Sequence, residues 1–355
     1  MTDDTTQMNL QWLQSTRNED PVDYSIACKF KKPIYLTPNK IDTWDRSYLE
    51  RKKEIGQEEF TLSDGRTMCY SIQGSGPVNI LCFHGGGESK QHFLLKKNVP
   101  NCRLIAVDRA GCGRSSKIPE PAFDFTFENV VNGLKELLDH LQISTFIAVG
   151  HSGGSRVAFN LAAALPDRCK AVGLFSPMVD VHHPKMDPET KKIFLKKCPY
   201  LMPIINMERG CCRCLIKQVF KGMSKNAMAF NFNNVYKDDA SKGAEMYQTF
   251  AADPFWVSLM CDSQRCGGYY DEICWITHRM QSADFYDIST ITAPLFCFTG
   301  DGDFIIPVEV GQWLEKMLGA KLEIIKGCSH NLSFGPYDAT YERIQRLVDA
   351  SGLMN

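Results

Sequence analysis

Short apolar runs alternate with amphipathic stretches along most of the chain from about residue 56 onward. Apolar runs bounded by turn residues are typical of strands, and apolar residues three or four positions apart are typical of helices. The pattern predicts strands at residues 59–62, 68–72, 79–83, 103–107, 145–149, 171–175, 294–298 and 321–325. It predicts helices at residues 128–141, 308–318 and 341–348, and a helix that begins near residue 152 and continues through residues 157–165. The first two strands are close enough to form a hairpin, and the later alternation of strands and helices predicts a mainly parallel sheet.

This rhythm divides the chain into three parts. Residues 1–55 lack clear periodicity, so we expect a polar N-terminal extension. Residues 56–181 and 291–355 carry the strands and helices of one α/β core. The rhythm stops over residues 182–290, a stretch too long for a bare loop. We therefore expect residues 182–290 to be an inserted, mostly helical lid.

Composition narrows the class of protein. The 355 residues include 40 Lys+Arg and 41 Asp+Glu, for a net charge of −1, which excludes a protein whose whole surface binds nucleic acid. The N-terminus is acidic and polar, and no apolar run approaches the ~20 residues of a membrane span. The 15 cysteines are odd in number and scattered, which favours reduced thiols. We therefore expect a cytoplasmic protein.

The sharpest motif is Gly150-His151-Ser152-Gly153-Gly154, a G-x-S-x-G segment between a predicted strand and a predicted helix. A nucleophile on such a tight turn needs small neighbours, so that its backbone can take a strained conformation and its hydroxyl can stand clear of the sheet. The helix N-terminus favours the negative charge that develops during attack. The motif predicts Ser152 as a nucleophile.

A serine nucleophile needs a base, and the base needs an acid that orients it. One late strand runs into Asp301 and Asp303, and the next runs into His330. Open α/β sheets gather their sites at the carboxyl ends of strands, where Ser152 also lies. The sequence predicts His330 as the base and leaves the two aspartates as alternatives for the acid.

The segment His84-Gly85-Gly86-Gly87 follows another predicted strand. Glycine allows close approach of a backbone, so we expect an oxyanion hole made by the N–H groups of Gly86 and Gly153. His84 and His151 border this site, and we expect them to pack and hydrogen-bond around it rather than to act as the base.

With these motifs the chain resembles the lid-bearing branch of the α/β-hydrolase superfamily. It carries that family's H-G-x segment at residues 84–86, a D-x-x-G-x-G-x-S segment at residues 108–115, and G-x-x-D and G-x-x-H loops ending at Asp303 and His330. The resemblance covers residue 60 to the C-terminus and implies the α/β-hydrolase fold, with an eight-stranded-type sheet, and a serine hydrolase. The family's acid precedes an x-x-V/I-P segment, which favours Asp303 over Asp301.

The resemblance also separates subfamilies. Epoxide hydrolases and haloalkane dehalogenases carry aspartate where this chain has Ser152, so their chemistry is disfavoured. The segment at residues 108–115 is similar to that of prolyl iminopeptidases, although their elbow differs. Within that segment we expect Asp108 and Arg109 to hold loops together through an ion pair.

These observations predict hydrolysis of an ester, thioester or amide of a small or lipophilic acyl compound, through an acyl-enzyme on Ser152. A carboxylic ester is the first choice of substrate, and a peptidase such as a prolyl iminopeptidase is an alternative. Two rivals keep the fold: an acyltransferase, and a non-enzymatic ligand-binding protein. No cofactor and no metal are implied.

The predicted lid carries two further features. Residues 185–225 hold ten Lys+Arg against three Asp+Glu. A solvated helical face explains them, and peripheral contact with anionic lipid is the alternative. Six cysteines within the predicted lid match no paired C-x-x-C ligand set, so we expect spare thiols rather than a zinc site. These cysteines are Cys211, Cys212, Cys214, Cys261, Cys266 and Cys274.

Overall fold

A computed structural model describes the strands and most of the loops of the predicted core. The described residues are 57–86, 88–93, 98–119, 125–179, 183, 185–197, 287–303, 305–326, 328, 330, 332 and 340–354. The predicted N-terminal extension and most of the predicted lid lie outside them. The three-part division of the chain therefore stays a prediction.

Eight strands form one sheet, in the order β1-β2-β4-β3-β5-β6-β7-β8. The strands are β1 Glu58–Thr61, β2 Thr67–Gln73, β3 Val78–Phe83, β4 Cys102–Val107, β5 Phe146–His151, β6 Cys169–Phe175, β7 Leu295–Gly300 and β8 Lys321–Ile325. Strand β2 runs antiparallel to both β1 and β4, and all other pairs are parallel. The predicted mainly parallel sheet and its opening hairpin are confirmed.

Burial explains why the strand positions could be predicted from the sequence. Every residue of β5 and of β7 is buried, as expected for parallel strands with both faces covered by helices. Such strands read as continuous apolar runs. The edge strand β1 is mostly exposed and β8 is only partly covered, so their runs are shorter and more polar.

Five α-helices are described: α1 Phe127–His140, α2 Gly154–Ala164, α3 Pro188–Lys197, α4 Val308–Leu318 and α5 Thr340–Ser351. Helix α1 begins at a capping box, in which the Thr126 hydroxyl accepts from the Asn129 N–H and the Asn129 side chain accepts from the Thr126 N–H. Among the described residues, no helix combines the length and hydrophobicity that crossing a membrane requires.

Helices α2 and α5 close the centre of the sheet. Almost all of α2 is buried, which small residues permit because they let the helix lie close to the strands. On α5, Leu347 sits so near Gly173 of β6 that a Cβ added to the glycine would lie 2.3 Å from a Leu347 methyl group. The C-terminal helix thus caps the middle of the sheet.

The connections bring four loops to one edge of the sheet. Strands β3, β5, β7 and β8 are parallel, so their carboxyl ends meet there. The segments that follow these strands carry Gly86, Ser152, Asp303 and His330. The fold therefore delivers all the predicted site residues to one place.

Candidate active site

Ser152 occupies the turn that joins β5 directly to α2. Its φ angle is +49°, a left-handed conformation that is uncommon for a residue with a side chain and costs about 1–3 kcal/mol. The surrounding backbone holds it there: the Ser152 N–H donates to the carbonyl of Phe175 at 2.9 Å, and the Met178 N–H donates to the carbonyl of Ser152 at 3.0 Å. The hydroxyl is thus presented from a fixed, strained position.

The glycines around Ser152 are required by space. A Cβ on Gly150 would lie 2.6 Å from the carbonyl oxygen of Gly154, and a Cβ on Gly154 would lie 2.1 Å from that of Phe83. Both distances are well inside van der Waals contact. The turn therefore packs against itself and against the end of β3 in a way that no larger residue allows.

Three of the predicted residues meet through their side chains. The Nε2 atom of His330 lies 2.9 Å from the Oγ atom of Ser152, and its Nδ1 atom lies 2.9 and 3.1 Å from the two carboxylate oxygens of Asp303. A carboxylate can only accept, so Nδ1 carries the proton and Nε2 is left to accept the hydroxyl proton of Ser152. The three groups form one row of hydrogen bonds.

Asp303 is itself fixed in orientation. Its side chain is fully buried, and its Oδ1 atom accepts from the backbone N–H groups of Ile305 at 2.9 Å and Ile306 at 2.8 Å. These two donors fix the orientation of the carboxylate, whose Oδ2 atom is its nearer oxygen to Nδ1 of His330.

The other aspartate of this loop lies elsewhere. Asp301 is exposed, and its N–H donates to the carbonyl of Ile325 at 3.1 Å, in the turn after β7. Of the two alternatives left open by the strand pattern, the structure brings Asp303 to His330.

The predicted oxyanion donors flank the nucleophile. The loop of residues 84–86, here called the oxyanion loop, lies against Ser152, because a Cβ on Gly85 would sit 3.1 Å from the Cβ of Ser152. Gly86 is half-buried in that loop, and Gly153 is the N-cap residue of α2. Hydrogen bonds among the described residues use neither N–H group, so both can serve a ligand oxygen.

His84 supports the oxyanion loop from beneath, as predicted. Its Nε2 atom accepts from the N–H of Arg109 at 3.1 Å, and its Nδ1 atom is 2.9 Å from the carbonyl of Gly85. Burial lowers the pKa of His84 well below its ordinary value, so the ring is neutral with the proton on Nδ1.

The expected ion pair of Asp108 has a different cation. Asp108 pairs with the ammonium of Lys90 at 2.6 Å, and both side chains are almost fully buried, at 0% and 2% exposed. Arg109 instead donates to the carbonyl of Gly85 at 2.7 Å. The Asp108 side chain, just after β4, faces the short helix Lys90–Phe93, whereas the Arg109 side chain contacts the oxyanion loop.

Sequence analysis did not identify two further residues that could serve the site. Glu88 and His92 lie directly behind the site: Glu88 Oε2 accepts from the Gly85 N–H at 2.6 Å and lies 3.1 Å from Nδ1 of His151 and 3.3 Å from Nδ1 of His92. The two histidine rings stack, with centroids 4.5 Å apart. The one available clue was their position a few residues after the H-G-x segment.

Burial and charge set the protonation of this cluster. Burial raises the pKa of Glu88, but His92 and His151 more than offset this and hold it well below the ordinary range. Burial lowers the pKa of His92 to about 4. Burial also acts to lower the pKa of His151, yet the Glu88 carboxylate raises it above its usual value.

Glu88, His92 and His151 also offer one potential metal ligand each, all within 4.8 Å of one another among the described residues. Zinc accepts such ligands. Here, however, each ligand atom already faces another member of the cluster, so an ion-pair network explains their proximity.

The predictions about the lid fall mostly outside the described residues. The structure does not describe the six lid cysteines named above or residues 198–225 of the basic segment. The seven described cysteines are all buried, and no disulfide joins any two of them. Burial raises the pKa values of six of these thiols, all but Cys112, and to about 12 for Cys69, which makes the six poor nucleophiles.

A family model and individual protein sequences both match this chain. A family model for the α/β hydrolase fold matches residues 78–201. An uncharacterised hydrolase from Bacillus subtilis is 25% identical over 262 residues, which are 72% of this chain and 84% of that protein. An epoxide hydrolase from Caballeronia sordidicola is 36% identical over 129 residues, but these span only 39% of that protein and 35% of this chain.

Among solved structures, an esterase from Rhodococcus sp. ECU1013 aligns with a TM-score of 0.56 at 19% identity, over 84% of this chain and 100% of that one. At this identity the likeness concerns the fold alone.

Proposed function

The chain belongs to the α/β-hydrolase superfamily and is a hydrolase, and from that premise we propose that it cleaves a carboxylic ester of a small or lipophilic acyl group, by way of a serine-bound acyl-enzyme. A thioester or an amide could enter the same chemistry. The observation that carries the proposal is the row of hydrogen bonds from Asp303 through His330 to Ser152, with the nucleophile held in a strained turn.

In the first half of the reaction, Ser152 Oγ attacks the carbonyl carbon while its proton passes to Nε2 of His330. Asp303 keeps the ring in the required tautomer and stabilises the imidazolium. The carbonyl oxygen becomes an oxyanion, which the N–H groups of Gly86 and Gly153 stabilise, with support from the N-terminus of α2. The imidazolium then gives its proton to the leaving group, and the acyl group stays on Ser152.

In the second half, water takes the place of the leaving group. His330 removes a proton from the water as it attacks the acyl carbon, and the same oxyanion site stabilises the second tetrahedral intermediate. Collapse returns the proton to Ser152 and releases the acid.

The residue at the elbow distinguishes this proposal from epoxide opening. The alignment with the epoxide hydrolase relative covers about a third of this chain. Aspartate is the nucleophile expected for that reaction, because its ester intermediate is hydrolysed at the carboxyl carbon. Ser152 would instead form an ether with an epoxide carbon, which water does not cleave under mild conditions, so an acyl substrate fits Ser152.

The test is intact-mass analysis after exposure to a fluorophosphonate, which phosphonylates activated serines. We expect one adduct on the wild-type protein and none on Ser152→Ala. Ser63→Ala serves as the matched control, since Ser63 is exposed and bonded to Glu136 away from the site, and it should label like the wild type.

Hydrolysis of p-nitrophenyl esters of graded acyl length then identifies the preferred acid. Adding competing alcohols or thiols and analysing the products separates a hydrolase from an acyltransferase, because an acyltransferase would return mainly the new ester. Folded wild-type protein that neither labels nor hydrolyses any ester would overturn the proposal in favour of a ligand-binding protein.

A further inference from the structure

His151, the residue before the nucleophile, has an oxygen acceptor at each ring nitrogen. Its Nδ1 atom faces the Glu88 carboxylate at 3.1 Å, and its Nε2 atom faces the backbone carbonyl oxygen of His330 at 3.0 Å. A neutral imidazole carries one N–H, so one of these contacts would set a nitrogen lone pair against an oxygen lone pair. The ring is 1% exposed, and both nitrogens contact their oxygen acceptors directly rather than through water.

We propose that His151 is a positioning residue that acts as a permanent imidazolium, paired with Glu88 and donating its second N–H to the carbonyl of His330. The proposal rests on the function inferred above, in which His330 is the base. A cation at this position satisfies both acceptors at once. It also forms a buried ion pair, for which hydrogen bonds on both sides are the condition of stability.

The surrounding groups allow the charge to stay on His151. Glu88 supplies the opposite charge, and Asp303 adds a favourable contribution from the far side of His330. His92, which stacks on His151, and His84 are both kept neutral by burial. The ring of His330 has its centroid 5.1 Å away, and its Nε2 atom faces the Ser152 hydroxyl. The cluster therefore carries one anion and one cation.

The pair ties together three parts of the proposed active site. Glu88 accepts from the Gly85 N–H at 2.6 Å and so holds the oxyanion loop. His151 holds the main chain of the base, and it precedes Ser152 in the chain. A single ion pair thus links the oxyanion loop, the elbow and the base, and a shift in any one of them is transmitted to the others.

Protonation of His151 can be read directly, without any substrate. In protein labelled with ¹⁵N at histidine, the ring nitrogens of His151, assigned by comparison with His151→Gln, should both report bound protons at pH 7. The same result is expected in Ser152→Ala, which is inactive under the proposed function. Observation of one unprotonated ring nitrogen at pH 7 in the wild-type protein would overturn the proposal.

Kinetics supplies the second test. Glu88→Gln keeps the shape of the side chain but removes the charge, so burial should make His151 neutral and loosen the carbonyl of His330. We expect kcat for a p-nitrophenyl ester at pH 8 to fall about 10–100-fold, with KM within about twofold, because small misplacements of a reacting group have effects of this size. Lowering the pH towards 6 should restore part of the loss.

Glu136→Gln is the matched control, since Glu136 bonds only to Ser63 at the surface among the described residues, and it should leave kcat and its pH profile unchanged. If Glu88→Gln retains wild-type kcat at all pH values, the positioning role is wrong. If the wild type is inert to fluorophosphonate, the proposed function fails, yet the ¹⁵N measurement still decides the charge of His151.

Discussion

Two rows of side chains meet at His330, and they are built alike up to their last member. Asp303, His330 and Ser152 form one row, in which a carboxylate holds an imidazole that ends on a hydroxyl. Glu88, His151 and the carbonyl of His330 form the other. A hydroxyl can donate or accept, whereas a carbonyl can only accept. The last member therefore decides whether the histidine is a base that can take up a proton or a cation that already has one.

Under the two proposals, neighbouring histidines with similar carboxylate partners have opposite tasks. The first row can exchange a proton in each half-reaction. In the second row, His151 is proposed to keep both of its protons, and its constant charge holds the carbonyl of His330. Breaking each row in turn should therefore give effects of different size and kind.

The largest effect is expected from removing the nucleophile of the first row. Ser152→Ala should lower kcat/KM about 10⁵-fold or more, because the remaining groups cannot form an acyl-enzyme. Ester hydrolysis measured alongside circular dichroism will check this. A folded variant with more than a tenth of wild-type activity would contradict the role of Ser152.

The next effect is expected at the acid of the first row. Asp303→Asn should lower kcat about 10⁴-fold, since the amide can donate to Nδ1 and favour the wrong tautomer of His330. Asp301→Asn is the control in the same loop and should stay within about twofold, as is usual for exposed sites. Equal losses in the two variants would mean that the loop, not the carboxylate, matters.

Stability separates a buried pair from an exposed one. Lys90→Met leaves the Asp108 carboxylate buried without its ammonium, so the free energy of unfolding should fall by about 3–5 kcal/mol. Lys135→Met breaks an exposed pair with Asp139 and should change it by less than about 1 kcal/mol. Urea unfolding of both variants provides the measurement. A loss below about 1 kcal/mol in Lys90→Met would contradict the importance of this pair.

The last effect concerns the pH dependence of stability. His92 has a folded-state pKa of about 4, below the ordinary value of about 6.5, so the unfolded chain binds protons more readily between these values. Stability should therefore fall as pH drops from 6.5 towards 4, by up to about 1.4 kcal/mol per pH unit for this histidine. His92→Gln should flatten the slope of unfolding free energy against pH. An unchanged slope would show that His92 does not remain neutral.

Local pattern was sufficient to predict the core of the fold. Strands buried on both faces leave continuous apolar runs, and the predicted β5 and β7 therefore lie within about two residues of the observed strands. Helix α2 begins at Gly154, close to its predicted start near residue 152, because the helix follows directly on the tight turn of the G-x-S-x-G segment.

The site was predictable where residues follow strands in a fixed order, as Ser152, Asp303 and His330 do. Glu88 and His92 were not, because their meaning arises from the approach of the helix Lys90–Phe93 to the elbow, a distance in space that spacing along the chain does not express. The prediction that Asp108 pairs with Arg109 was wrong for the same reason, because Lys90 of that helix is its partner.

The packing of Leu347 on Gly173 also bears on how the protein is made. Ribosomes add about 5–20 residues per second, so β6 waits several seconds for its partner β7, and the capping helix α5 is among the last segments to emerge. Until then the nascent chain exposes an unpaired apolar strand edge. Pairing with β7 then covers that edge, whereas the face of β6 at Gly173 stays uncovered until α5 packs on it, so loss of α5 would leave this face exposed even after the sheet has formed.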